Sequence, residues 1–210
     1  MGSAQSLIKI LDAMSDAIIA NKEYLTDLDR PIGDSDHGIN MAKGFTVVKQ
    51  KLPELENDNI GNILKAVAMA LISTVGGASG PLYGTAFLQA SKVMAGKDAI
   101  EREDIISIFE EAIAGIVKRG KAQKGEKTML DALIPALDAL KTGITAGASA
   151  KQAFVKAAQA AKEGAEYTKT IIATKGRASY LGERSLGHQD PGATSSYILI
   201  DTIAGTLDEG

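Results

Sequence analysis

The sequence predicts an all-α protein, a single domain of about eight helices. Apolar residues recur at helical spacing along almost all 210 residues, strict apolar–polar alternation is hard to find, and Gly and Pro gather at short joints. No joint is a long polar linker, so one domain spanning 1–210 follows. Size scaling gives such a chain roughly 9,300 Å² of folded surface, with about 70% of its unfolded surface buried.

Leu7, Leu11, Met14 and Ile18 place one apolar face on a first helix running to about Tyr24. Similar patterns predict helices over 39–51, 59–75 and 83–95, and Ile105, Phe109, Ile113 and Ile116 mark the next. A helix over 129–141 precedes an alanine stripe, Ala153, Phe154, Ala157, Ala158, Ala161 and Ala165, which suits close helix packing. The last helix covers 192–206. Its run Tyr197-Ile198-Leu199-Ile200 could also be a buried strand, but no partner strand is visible.

Composition excludes several functions. The chain has no Cys, which removes disulfides, thiolate metal sites and a cysteine nucleophile and fits a reducing, cytoplasmic setting. Two histidines cannot build a histidine-rich metal centre, and a net charge of −3 argues against nucleic acid as a partner. No apolar run is long enough to span a membrane. Residues 1–6 fit a loose myristoylation pattern, too short to be informative, and read as a flexible start with no secretion signal.

Chemistry concentrates at the joints. Asp27, Asp29, Asp34 and Asp36 fall within ten residues, and crowded carboxylates repel unless solvated, protonated or bound to a cation. Oxygen ligands of this kind suit Mg²⁺ or Ca²⁺, with Asp29, Asp34 and Asp36 as the candidate metal ligands. Capping of the helix that starts near Gly38 by Asp34 or Asp36 is the competing explanation. It leaves three carboxylates at one joint unexplained. Mg²⁺ commonly shares its shell with phosphates, and the glycine-rich turn Gly76–Pro81 and the Gly38-Ile39-Asn40 start both leave helix N–H groups for an anion. Gly120–Thr128 approaches a phosphate-loop pattern but has the wrong spacing and follows a helix. The polar stretch 175–192 offers Arg177 as a phosphate fork.

Taken together, Tyr24–Asp29, Ile32–Met41, Gly76–Gly84, Thr128–Asp131, Gly176–Arg184 and Asp190–Ala193 closely resemble the nucleotide-binding L subunit of dihydroxyacetone kinases over essentially the whole chain. The resemblance implies antiparallel amphipathic helices closed into a barrel, with the nucleotide at one end. It implies two Mg²⁺ on Asp29, Asp34 and Asp36. The implied ADP/ATP contacts are His37, Gly38, Asn40, Ala78, Ser79, Gly80, Gly120, Thr128, Met129, Arg177, Asp190, Pro191 and Gly192. No catalytic residue beyond the metal ligands is identified. Ser35 departs from the glycine common in the family and would be strained if the turn needs a positive φ.

In the phosphotransferase-dependent form of these enzymes the module is a separate subunit with tightly bound ADP. A phosphohistidine on an M subunit rephosphorylates that ADP, and the phosphoryl group passes to dihydroxyacetone held on a K subunit. The chain has no room for a substrate domain, which favours this form. An ATP-dependent subunit with exchangeable nucleotide and a nucleotide-sensing regulator are the alternatives.

Overall fold

The structure, a computed structural model, describes residues 2–208. Among them are nine α-helices: α1 Ala4–Ala20, α2 Lys22–Asp29, α3 His37–Lys51, α4 Ile60–Thr74, α5 Ser79–Val93, α6 Arg102–Gly120, α7 Leu130–Thr145, α8 Ala150–Tyr167 and α9 Pro191–Thr206. The expected first helix is two helices. At Asn21 the side chain donates to the Ala17 carbonyl, 2.8 Å away, and this local bond competes with continuation of the helix. The run Tyr197–Ile200 lies inside α9, so the helical reading of it holds.

The flexible start is corrected. Gly2–Ser3 (β1) pairs antiparallel with Ala99–Ile100 (β2), and the Ser3 hydroxyl caps α1 by accepting from the Ser6 N–H at 3.2 Å. Met1 lies outside the described residues.

Eight helices form a closed ring in the order α1, α3, α4, α5, α6, α7, α8, α9 and back to α1, while α2 packs beside α3 and α9. The alanine stripe explains how the ring shuts. Ala153, Ala157 and Ala161 are fully buried in one cluster with Ala132, Ala136 and Ala193, so α7, α8 and α9 approach closely. Across the interior, Phe109 of α6 meets Phe154 of α8 edge-on, with centroids 5.7 Å apart. The ring encloses a largely apolar cavity of about 600 Å³ lined by residues such as Leu11, Phe87, Phe109 and Leu199, with Tyr83 and Ser196 in its wall.

Up-and-down alternation sorts the joints. The α2–α3, α4–α5, α6–α7 and α8–α9 connections share one end, whereas Thr142–Gly147 lies at the other. Contacts confirm this: His37 reaches both Ser79 and Ser195 at the first end, and Arg102 reaches the Ala148 carbonyl at the second.

Candidate functional site

At the α2–α3 joint Asp29, Asp34 and Asp36 come together, each with a carboxylate oxygen within 4.8 Å of the others. Their surroundings differ. Asp29, the last residue of α2, is buried, and its Oδ2 accepts from the backbone N–H groups of Asp36 at 2.9 Å and His37 at 3.2 Å. It therefore caps α3 from outside. Asp36 occupies the N-cap position of α3 and makes no capping bond, so capping does not account for Asp36. Asp34 is exposed and pairs with the Arg177 guanidinium at 2.8 Å, which brings the α8–α9 segment onto the aspartates.

The turn is built for this convergence. A Cβ added at Gly33 would overlap the Asp29 carboxylate, so a side chain there would force that carboxylate out of its place. Ser35 has φ +62°, the positive value anticipated as a strain for serine, and the carboxylates still converge. Burial raises the Asp36 carboxyl above its usual range, the Asn40 side chain opposes this, and Asp34 and Asp29 add repulsion. A bound cation would relieve that repulsion.

His37 begins α3 and is buried. Its Nδ1 lies 3.1 Å from Ser79 Oγ and its Nε2 2.9 Å from Ser195 Oγ. Burial lowers its pKa to about 4, with Asp29 opposing, so the ring is neutral at neutral pH. Gly38 is set by packing, since a Cβ there would overlap the Lys22 carbonyl of α2. Asn40 stands against the backbone at Gly76, while Ala78 is exposed and Ser79 starts α5. Gly80 fits tightly against the Val75 carbonyl.

The α6–α7 joint carries Gly120, exposed at the end of α6, and Thr128 and Met129 ahead of α7. Buried Asp131 shapes it by accepting from the N–H groups of Gly125 and Thr128. The Met129 backbone lies beside Gly192, which joins this loop to the start of α9. There Asp190 is buried, and its carboxylate accepts from the Ala193 N–H at 2.7 Å as the cap of α9, with Pro191 in the first turn. Burial pushes its pKa up to about 7; the Ala193 N–H opposes this, Asp131 adds to it, and Lys127 lowers it.

Several residues that organise this end escaped sequence reasoning. Lys127 is almost wholly buried, and its Nζ donates to the carbonyls of Thr168, Ile171 and His188 at 2.5 to 3.3 Å. It thereby joins both ends of the α8–α9 segment to the α6–α7 loop. Nothing in helical periodicity marks it, because it sits in a joint among other lysines. Tyr83, Ser195 and Ser196 form a buried hydroxyl cluster, and the signal available was two adjacent serines just ahead of the apolar run Ile198–Ile200.

Four joints converging on three carboxylates at one end of a closed helical ring define a DAK2-type domain: the DAK2 domain family matches residues 31–205, and the chain belongs to it. Within that family it is 43% identical over 202 residues to the ADP-binding subunit DhaL of the PEP-dependent dihydroxyacetone kinase of Escherichia coli (strain K12), spanning 96% of each chain. It is 45% identical over 203 residues to the corresponding subunit of the PTS-dependent enzyme of Lactococcus lactis, spanning 97% of each. Among solved structures it resembles the dihydroxyacetone kinase of C. freundii in complex with AMP-PNP and Mg²⁺, with TM-score 0.74 and 25% identity over 99% of this chain and 35% of that one.

Proposed function

We propose that this protein is the ADP-binding subunit of a phosphotransferase-dependent dihydroxyacetone kinase. In this reading a phosphohistidine on an M subunit phosphorylates the resident ADP, and the phosphoryl group passes to dihydroxyacetone on a K subunit. The observation that carries it is the carboxylate cluster at the ring end, in a chain that matches ADP-binding subunits over nearly their full lengths.

The donor set fits the implied metal. Three carboxylate oxygens within 4.8 Å of one another are the hard ligands that Mg²⁺ takes, and the pair of ions is what the family resemblance implies. Asp29, Asp34 and Asp36 would hold them. Bound there, Mg²⁺ would neutralise phosphate charge during transfer. His37, Asn40, Ala78, Ser79 and Gly80 would bind the phosphates, with Gly38 fixing the approach of α3 to α2. Gly120, Thr128, Met129, Asp190, Pro191 and Gly192 would hold the rest of the nucleotide, and Arg177, beside Asp34, would supply a cation to it.

No side chain here is needed as a base towards dihydroxyacetone, because the acceptor is held by the K subunit. We place the protein in the cytoplasm, with neither nucleic acid nor membrane as partner; among the described residues no helix is long and apolar enough to cross a membrane.

Reconstitution with a candidate K subunit and a candidate M subunit, together with the phosphotransferase proteins that charge M from phosphoenolpyruvate, tests the reading. Dihydroxyacetone phosphate should form from phosphoenolpyruvate without added ATP. Turnover only with added ATP would favour the exchangeable-nucleotide kinase, and nucleotide binding without any turnover would favour a regulator.

A further inference from the structure

A chain of hydrogen bonds runs from the nucleotide end into the wall of the ring. Ser79 Oγ lies 3.1 Å from His37 Nδ1, His37 Nε2 lies 2.9 Å from Ser195 Oγ, and the Tyr83 hydroxyl lies 2.8 Å from both Ser195 Oγ and Ser196 Oγ. The Gly192 carbonyl accepts at the inner end, 2.9 Å from Ser196 Oγ, 3.1 Å from Ser195 Oγ and 3.3 Å from the Tyr83 hydroxyl. His37, Tyr83, Ser195 and Ser196 are all buried, and Ser79 alone is half open.

Counting protons limits what this chain can do. A neutral imidazole carries one N–H, so the link through His37 runs in either of two senses, whichever hydroxyls donate to the Gly192 carbonyl. In the inward sense Ser79 donates to Nδ1, Nε2–H donates to Ser195, and Tyr83 and Ser196 pass the direction on to the Gly192 carbonyl. The Ser79 proton is then spent. In the outward sense Ser196 donates to the Gly192 carbonyl, Tyr83 to Ser195, Ser195 to Nε2, and Nδ1–H to Ser79. The Ser79 proton is then free to point out of the wall. A phosphate oxygen only accepts, so an anion at Ser79 is compatible with the outward sense alone.

We infer that Ser195, supported by Tyr83, is a positioning residue that holds His37 as its Nδ1–H tautomer, so that the Ser79 hydroxyl is presented as a donor to a nucleotide phosphate. This rests on the proposed nucleotide reading. Neither Ser195 nor Tyr83 touches the phosphates; both act through a ring whose two nitrogens are otherwise closed off from solvent. Low local dielectric strengthens such a chain, since each bond polarises the next.

The chain contains only two histidines, His37 and His188, so ¹⁵N-histidine NMR resolves the ring directly, with a His188→Gln variant assigning the signals. In ADP- and Mg²⁺-loaded protein His37 should carry its proton on Nδ1. Ser195→Ala should lose that single-tautomer signature and weaken ADP binding roughly 2- to 10-fold, the range of one hydrogen bond. Ser195→Thr, which restores the hydroxyl, should recover both. An Nε2–H or doubly protonated ring in the loaded protein, or unchanged ADP affinity in Ser195→Ala, would overturn the inference. Wild-type protein that binds no ADP would instead overturn the nucleotide reading beneath it.

Discussion

Asp29 combines two tasks that its neighbours keep separate. It caps α3 through two backbone N–H groups and also supplies an oxygen to the carboxylate cluster, whereas Asp34 and Asp36 cap nothing through their side chains. Asp34→Ala or Asp36→Ala should therefore remove metal and nucleotide together with helix content nearly unchanged, and near-normal ADP retention would contradict the site. Asp29→Ala should cost in addition about 1 to 2 kcal/mol of stability from the lost cap, measured as a shifted urea midpoint. Gly33→Ala tests the same geometry without touching a ligand: its methyl would displace the Asp29 carboxylate, so Mg²⁺ affinity should fall while Asp34 and Asp36 remain. Asp190 has a pH signature of its own. With its folded pKa raised to about 7, the folded state keeps a proton that the unfolded chain has released. That contribution is present in full below about pH 4 and is lost as pH rises towards 7, by at most about 1.4 kcal/mol per unit. Asp190→Asn keeps an acceptor for the Ala193 N–H and should abolish this decline, so the difference between its stability and the wild type's should change across pH 4 to 7; parallel profiles would contradict the assignment. The aspartates were legible because four in ten residues is a chemical anomaly. The division of labour among them was not, since it depends on which carboxylate faces the first turn of α3.

At the scale of elements, amphipathic spacing placed eight helical segments, and the differences lie at their ends. α5 begins at Ser79, ahead of the expected 83, because Gly80 and Pro81 read as turn residues although Pro is tolerated in a first helical turn, where its missing N–H has no partner to lose. The split at Asn21 came from one side-chain hydrogen bond, which periodicity does not register. The α8–α9 segment was recognised as more than a loose loop, but not the means of holding it. Lys127 does so by donating to three main-chain carbonyls from that segment. Lys127→Met should leave those carbonyls without their cation, lower stability by about 2 to 4 kcal/mol, and speed amide exchange across 168–190 more than in the ring helices. Uniform protection across both regions would argue that the segment is held by other contacts.

For the whole molecule, closure of the ring is a long-range property. It is written in pairings such as α1 with α9 that join opposite ends of the chain, and only the family resemblance anticipated it. Once the ring is closed, alternation of helix direction puts the α2–α3, α4–α5, α6–α7 and α8–α9 connections at one end, which explains why residues spread from Asp29 to Gly192 lie together there. Retention of a nucleotide as a resident cofactor at this end is tested by purifying the protein without added nucleotide, denaturing it, and counting what is released. Near-stoichiometric ADP with about two Mg²⁺ per chain, the two-metal arrangement of phosphoryl-transfer sites, is the predicted result. Protein that emerges empty and binds MgATP reversibly, or binds no nucleotide at all, would contradict it.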